Sequence, residues 1–321
     1  MSTENIPQTL IEAVRYFSVR QHCNDFMREI KWPGGNIVCP KCGNDSCHEL
    51  PSRPGTIKCN RANCQKQFSY KVGTIFEDSP LGLDKWFVAV WSIANCKNGI
   101  SSHELGRAIG VTQRTAWFML HRIRLAMESD TFTKLRGEVE SDETYVGGRA
   151  KNMHAKKREK KITGRGGANK KPVQAIVQRD GEVRTFVVDH TDAGTLCGNI
   201  MRNVERDSFI YTDENPTVDG LSAAFNHGVV NHSTGEYVRG RIHINSAENF
   251  FSLLKRALKG TYISISTWHL FRYCQEQGFR FNHRQLGDAG RFLNALRGIV
   301  GKRLTYRELA GIDDAGFMNI K

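Results

Sequence analysis

The ten residues Gly137–Val146, GEVESDETYV, mark the point where the chain changes texture. Before them, apolar residues recur at helical spacing. From them onward, short runs rich in Val, Ile, Phe and Tyr alternate with helical stretches. The runs are 138–146 (EVESDETYV), 172–179 (PVQAIVQR), 183–189 (VRTFVVD), 208–213 (SFIYTD) and a short 228–232 (GVVNH). Helical patterns fall near 193–204, 218–225, 246–259 and 267–281. Strands joined by short or basic connections, then alternation of helix with strand, predict a mixed α/β sheet with helices on both faces.

Upstream, residues 1–35 read as a helical lead-in, with Leu10, Ala13, Val14, Phe17, Cys23, Phe26, Met27 and Ile30 at helical spacing. Trp32-Pro33-Gly34-Gly35 ends that pattern. Residues 36–72 carry cysteines but too few apolar groups to make a core unaided, so something other than burial has to hold them. Residues 73–132 return to helix, and 136–284 hold the mixed sheet. A tail, 285–321, offers one more helix through Phe292, Leu293, Leu296, Ile299 and Val300, expected to pack on the sheet domain. Between the first two strands, Arg149–Lys171 is nearly all Lys, Arg, Gly and Asn, and reads as a mobile basic loop suited to gripping a polyanion's backbone.

With 321 residues the chain is long for one core, and two domains or more are expected. Its 46 Lys and Arg against 33 Asp and Glu give a net charge of +13, which attracts nucleic acid first and an acidic membrane face second. No apolar run reaches the ~18 residues of a membrane span, and the start, MSTENIPQTL, lacks the pattern of a signal peptide. A cytoplasmic, nucleoid-associated protein is therefore expected. Nine cysteines in such a chain are expected as thiols or metal ligands rather than disulfides.

Their spacing is specific. Cys39-Pro-Lys-Cys42 and Cys59-Asn-Arg-Ala-Asn-Cys64 are two pairs that can set four thiolates round Zn²⁺, with Gly43 suiting a tight knuckle. The second pair is wider than usual, and Cys47-His48 offers substitute ligands. A structural zinc ribbon is the reading.

Two helical blocks, SSHELGRAIG and VTQRTAWFMLHRIRLAM, are joined by Gly110-Val111-Thr112. Gly110 supplies a stop and Thr112 an N-cap, the pattern of a helix-turn-helix. Gln113 and Arg114 at the start of the second helix can reach base edges, and Arg122, with His121 and Arg124, would meet phosphates. An ordinary helical hairpin has the same pattern, and the positive charge tilts the choice toward DNA.

Asp142 in the first strand, Asp213 at the end of SFIYTD and Glu248 in the first turn of a later helix are remote in sequence, so only a fold could unite them. United, they could hold two Mg²⁺ (or Mn²⁺) ions for phosphodiester chemistry. Lys255, seven residues after Glu248, projects from nearly the same helix face and could hold a phosphate. Glu140 shares the face of Asp142, and Glu143 and Glu214 are adjacent, so these remain alternative acids.

The motifs CPKCG, CNRANCQKQFS, GTIFEDSPLGLDKWFVAVW, GISSHELGRAIGVTQRTAWFMLHRIR, GEVESDETYVGG, IYTDE, HINSAENFFSLLKRALKGTYISIS and FRFNHR together resemble bacterial insertion-sequence transposases with an N-terminal zinc ribbon and a DDE domain. The similarity runs from about Phe17 to Arg284, in family order. It implies an RNase H-like catalytic fold, Mg²⁺-dependent cleavage of transposon ends and transfer of the 3′-hydroxyl into target DNA. It places the three family acids on Asp142, Asp213 and Glu248 and the basic partner on Lys255. Two other classes share some of these features: an RNase H-like nuclease, which would cut without joining, and an inactive, transposase-derived DNA-binding protein. Because two DNA ends must be held at once, a homodimer or larger assembly on double-stranded terminal repeats and target DNA is expected.

Overall fold

The computed structural model describes residues 6–128, 133–148, 153–161 and 170–312. The chain forms two compact units, one from residues 1–128 with 284–321 and the other from 129–283. In the first, α1 (Leu10–Phe17) opens on a reciprocal cap between Thr9 and Glu12, and α2 (Arg20–Lys31) follows. Three short strands come next, β1 (Cys47–Glu49), β2 (Thr56–Cys59) and β3 (Gln67–Ser69), antiparallel in the order β1-β2-β3. Their buried apolar content is small: Ile57 lies opposite Phe68, and Tyr70 follows β3.

Helix α3 (Leu83–Asn95) precedes the pair α4 (Ser102–Ile109) and α5 (Gln113–Ala126). Gly110 takes φ +62°, the left-handed stop that glycine reaches without penalty, and the Thr112 side chain accepts from the Thr115 backbone N–H. Gly106 allows the close join, since a Cβ there would meet the Val111 carbonyl oxygen at 3.0 Å. The helix-turn-helix is thus fixed by one cap, one left-handed glycine and one small residue.

The second unit holds the mixed sheet: β4 (Glu138–Val146), β5 (Lys171–Gln178), β6 (Val183–Val187), β7 (Phe209–Asp213) and β8 (Asn226–Val230), in the order β6-β5-β4-β7-β8. β4, β5 and β6 pair antiparallel, whereas β7 and β8 join parallel to β4. This is the RNase H-like sheet expected from the sequence. Helix α7 (Ala193–Asn203) covers one face, packing Leu196, Cys197 and Ile200 on Val139, Ile176 and Ile210. Helices α8 (Asn245–Arg256) and α9 (Leu270–Asn282) cover the other, with Phe250, Leu254 and Tyr273 over Val173, Ala175 and Val177. Alternate β5 residues therefore feed opposite cores, the period-two pattern of a sheet covered on both sides.

Three expectations are corrected. The basic stretch 149–171 is not wholly loop: α6 (Ala155–Lys161) is helical, while 149–152 and 162–169 lie outside the described residues. The segment expected as a helix near 218–225 is a 3₁₀ stretch, Pro216–Ala223. The tail, expected on the sheet unit, belongs to the first unit. Its α10 (Asp288–Arg297) joins the first unit, with Phe292 set 5.0 Å from Trp91 and 5.7 Å from Phe17 between ring centroids, and α11 (Tyr306–Ala310) follows there. A Cβ on Gly298 would lie 2.0 Å from the Ala126 carbonyl oxygen, so that approach of tail to α5 admits only glycine.

Candidate metal and nucleic-acid sites

The ribbon brings Cys39, Cys42, Cys59 and Cys64 together, with their sulfurs all within 4.8 Å of one another. Four sulfurs at ~2.3 Å from a zinc ion stand about 3.8 Å apart along each tetrahedral edge. The Cys39–Cys64 and Cys42–Cys59 sulfurs are 3.8 and 3.7 Å apart, so these two edges match those of that ion. Each knuckle turns back through a left-handed residue, Gly43 (φ +68°) in the first and Gln65 (φ +44°) in the second. The wider gap of the second pair is taken up by a turn in which the N–H groups of Cys64 and Gln65 both donate to the Arg61 carbonyl. Cys47 and His48 are not part of this group of four: Cys47, opposite Cys59 across the strands and with its thiol in reach of the Cys59 side chain, donates to the Asn44 carbonyl at 3.6 Å, and His48 Nδ1 lies 2.6 Å from Asn60 Oδ1.

On the helix-turn-helix, Gln113 and Arg114 are exposed at the start of α5. Gln113 donates to Ser102 Oγ at 2.8 Å, and Arg114 donates to the Tyr306 hydroxyl at 2.6 Å while lying over that ring. Arg122 does not face a phosphate. It is buried to 4% exposure, stacked on Phe118 and Trp86, and donates to the Glu77 carbonyl. His121 and Arg124 are buried with it. The last two turns of α5 run through the core, so the basic residues there serve packing, and only the first turn is free to meet a ligand.

In the second unit the β4–β7 register explains the meeting of remote acids. Glu140 lies level with Tyr211, where the paired stretch ends, and two residues further along these parallel strands Asp142 and Asp213 follow on the same face. Adjacent strands run ~4.8 Å apart, and residues two apart share a face. That face is the one α8 covers.

Helix α8 is fastened to β4 by Glu140. Its side chain is fully buried and accepts from the Ser246 N–H at 2.7 Å, the Ala247 N–H at 3.0 Å and Ser246 Oγ at 3.1 Å. Arg179 Nε supplies the countercharge at 2.7 Å, and itself lies over the Tyr211 ring and donates to the His243 carbonyl. A carboxylate on the unsatisfied N–H groups of a helix start is the stabilising arrangement for both. The next residue of the helix is Glu248, so the Glu140 anchor fixes the height of Glu248 over the sheet.

Burial pushes the Asp142 carboxyl up to about 7; Asp213 and Glu248 raise it further, and Lys255 and a hydrogen bond from the Glu143 N–H oppose the rise. Burial likewise pushes Glu143 up to about 7, with Asp142 and Asp213 adding to it and a hydrogen bond from Asn215 opposing. Asp213, Glu248 and Lys255 thus each sit within electrostatic reach of Asp142. Their spacing is looser than that of the cysteines: among the described residues, the four thiols form the one group whose ligand atoms all lie within 4.8 Å. Donors that are oxygen-bearing, desolvated and mutually repelling suit hard divalent cations. Glu214 belongs elsewhere, accepting from the Ser233 N–H. Sequence periodicity grouped Glu140 with Asp142 but gave no sign of its anchoring role, because its partners lie 39 to 107 residues away.

These shifts predict a pH dependence. An acid whose folded pKa exceeds its unfolded value binds its proton more tightly when folded, so stability falls as pH rises from about 4 to about 7 and stays reduced above. Without divalent ions, Asp142→Asn should therefore be more stable than the parent at pH 8, by about 1–2 kcal/mol after allowance for nearby solvent, and equal to it near pH 4. Thermal melts at the two pH values measure this. A variant less stable at pH 8 would contradict the repulsion.

Residues 134–282 match the ISXO2-like transposase domain, and residues 21–67 match the transposase zinc-ribbon domain. A Halobacterium salinarum protein described as an uncharacterized protein in transposable element ISH50 is 28% identical over 254 residues, covering 76% of this chain and 85% of the relative. Among the described residues no helix is long and apolar enough to cross a membrane.

Proposed function

We propose that this chain, similar to insertion-sequence transposases that pair a zinc ribbon with a DDE domain, binds the ends of its element, cleaves the phosphodiester there and joins the freed 3′-hydroxyl to target DNA. Asp142, Asp213 and Glu248 would hold the divalent ions, Mg²⁺ or Mn²⁺. When bound, such a pair polarises the phosphoryl group and stabilises the attacking and leaving oxygens. Lys255, whose charge acts on Asp142, would hold a phosphate oxygen.

The observation that supports this reading best is that β4 and β7 pair in parallel up to Glu140 and Tyr211, each two residues before the acids Asp142 and Asp213, on the face under α8. Gln113 and Arg114 are the side chains offered to base edges, and the net charge of +13 supplies the general attraction to double-stranded DNA. The ribbon's Cys39, Cys42, Cys59 and Cys64 would bind Zn²⁺ as a structural ion. Holding two ends calls for at least a homodimer, which light scattering with and without end DNA would detect.

The test incubates the protein with Mg²⁺ and a labelled duplex bearing the repeats that flank its own gene. Joined products are expected, and Asp142→Ala, Asp213→Ala or Glu248→Ala should each lower joining by at least about 10³-fold. Asn245→Ala and Asn249→Ala, the amides that flank Glu248 as alternative third residues, should leave most of it, because an amide does not neutralise a divalent ion. Hydrolysis without joining would overturn the transposase reading in favour of a nuclease, and full activity of Glu248→Ala would remove that residue from the set.

A further inference from the structure

Downstream of Lys255 the backbone does something unusual. Helix α8 passes into a π-helix, Ala257–Tyr262, and Ile263 then takes φ +58°, ψ −57°. The Ser264 N–H donates back to the Tyr262 carbonyl at 2.5 Å, closing a three-residue turn about Ile263. A β-branched residue at positive φ in such a turn is strained, and strain of this kind persists only where the surroundings impose it.

The surroundings here are firm. Tyr262 and Ile265, on either side, pack on the core under α8 and α9, as does Leu270. The strained residue nevertheless points out, with Ile263 80% exposed. Five residues on, Trp268 is 56% exposed, whereas the protein's four other tryptophans are buried or half-buried. Five residues span at most ~18 Å, so the two apolar side chains stand on one small region of surface. From Asn249 to Gln275 the chain carries Lys255, Arg256, Lys259 and Arg272 and no Asp or Glu.

Two exposed apolar groups on rigid mounts, in a stretch carrying only positive charge and beginning beside the acid face, call for a ligand with apolar faces and an anionic backbone. A nucleic acid strand answers that description, and a protein surface does not need the charge. Resting on the function proposed above, we propose that Ile263 and Trp268 form a wedge and stacking platform that opens the base stack of the bound DNA end next to the scissile phosphate. Ile263 enters between bases, as branched apolar side chains do when they kink a duplex. Trp268 receives the face of the displaced base. The basic residues around them hold the backbone while the stack is broken.

The experiment uses the full chain and a duplex of its gene's flanking repeats with 2-aminopurine in the terminal base pairs, a probe that brightens when unstacked. Parent protein should raise the fluorescence several-fold. Ile263→Gly and Trp268→Ala should each remove most of that rise and slow joining by about 10-fold or more, and Trp268→Phe should restore it by keeping a stacking ring. Ile263→Gly should melt no lower than the parent, because glycine tolerates this φ, so loss of the signal cannot be put down to unfolding. An unchanged signal in both variants, with a parent that joins DNA, would overturn the wedge and leave the transposase standing. Failure of the parent to bind or join the repeat duplex would overturn both. Variants that convert an oligomer into monomer without DNA would show the patch to be a self-association surface and would likewise overturn the wedge.

Discussion

Glu140→Ala should destabilise the sheet unit by about 2–3 kcal/mol, because two buried N–H donors lose their acceptor while Arg179 keeps Glu138 as a second carboxylate at 3.4 Å. The guanidinium of Arg179 loses its 2.7 Å partner, and the Ser246 and Ala247 N–H groups lose their acceptor inside the fold. The effect should reach beyond stability. Glu248 lies one residue past the anchored pair, and a helix start freed from β4 lets that carboxylate drift from the level of Asp142 and Asp213. Mn²⁺ affinity, followed by calorimetry on folded protein, should fall about 10- to 100-fold, as it does when residues that orient metal ligands are removed. Glu140→Gln, which can still accept from the helix N–H groups but lacks the charge facing Arg179, should fall between the parent and Ala. Unaltered Mn²⁺ binding in a folded Glu140→Ala protein would show that α8 is held by its apolar face alone.

The second large effect belongs to the ribbon. Its three strands bury little more than Ile57, Phe68 and Tyr70, so its folding energy has to come from another source. Zinc held by four thiolates supplies apparent free energies of about 10–16 kcal/mol, far above what so small a core provides. Purified protein should contain one zinc per chain, and a strong chelator should unfold residues 36–72 while leaving the sheet unit intact. Amide hydrogen exchange resolved along the chain would show the first segment lose protection and the second keep it. Cys59→Ser should behave like the chelated parent, whereas Cys47→Ser should not, since the Cys47 sulfur lies outside the group of four. Zinc content well below one ion per chain, in protein whose ribbon is protected, would sink this account.

What could be read from the sequence was what repeats locally. The strand stretches, the Gly110–Thr112 join and the cysteine knuckles each carry their signal within a few residues, and the structure has them in place. Arg122 shows where local reading fails. A basic residue on a second helix looks like a phosphate ligand until the tertiary packing turns that face inward, onto Trp86 and Phe118. The aliphatic stem and planar head of arginine pack well on rings, which a charge count does not register. Glu140 fails in the other direction: the two-residue period grouped it with Asp142, but only the fold shows that it ends at a helix start 106 residues away. The tail's destination was likewise invisible, because the apolar face of α10 could have suited either core.

Phe292 has a bearing on how the protein is made. The aromatic nest formed by Phe17, Phe26, Phe87 and Trp91 is laid down early in synthesis, yet the ring that fills its middle is translated only after the whole sheet unit. A nascent chain stopped short of α10 therefore leaves the ribosome with a first unit that has a hole at its heart. Only a chain that includes α10 closes that unit, so, on the function proposed above, premature fragments should not occupy the element's ends in place of the longer protein.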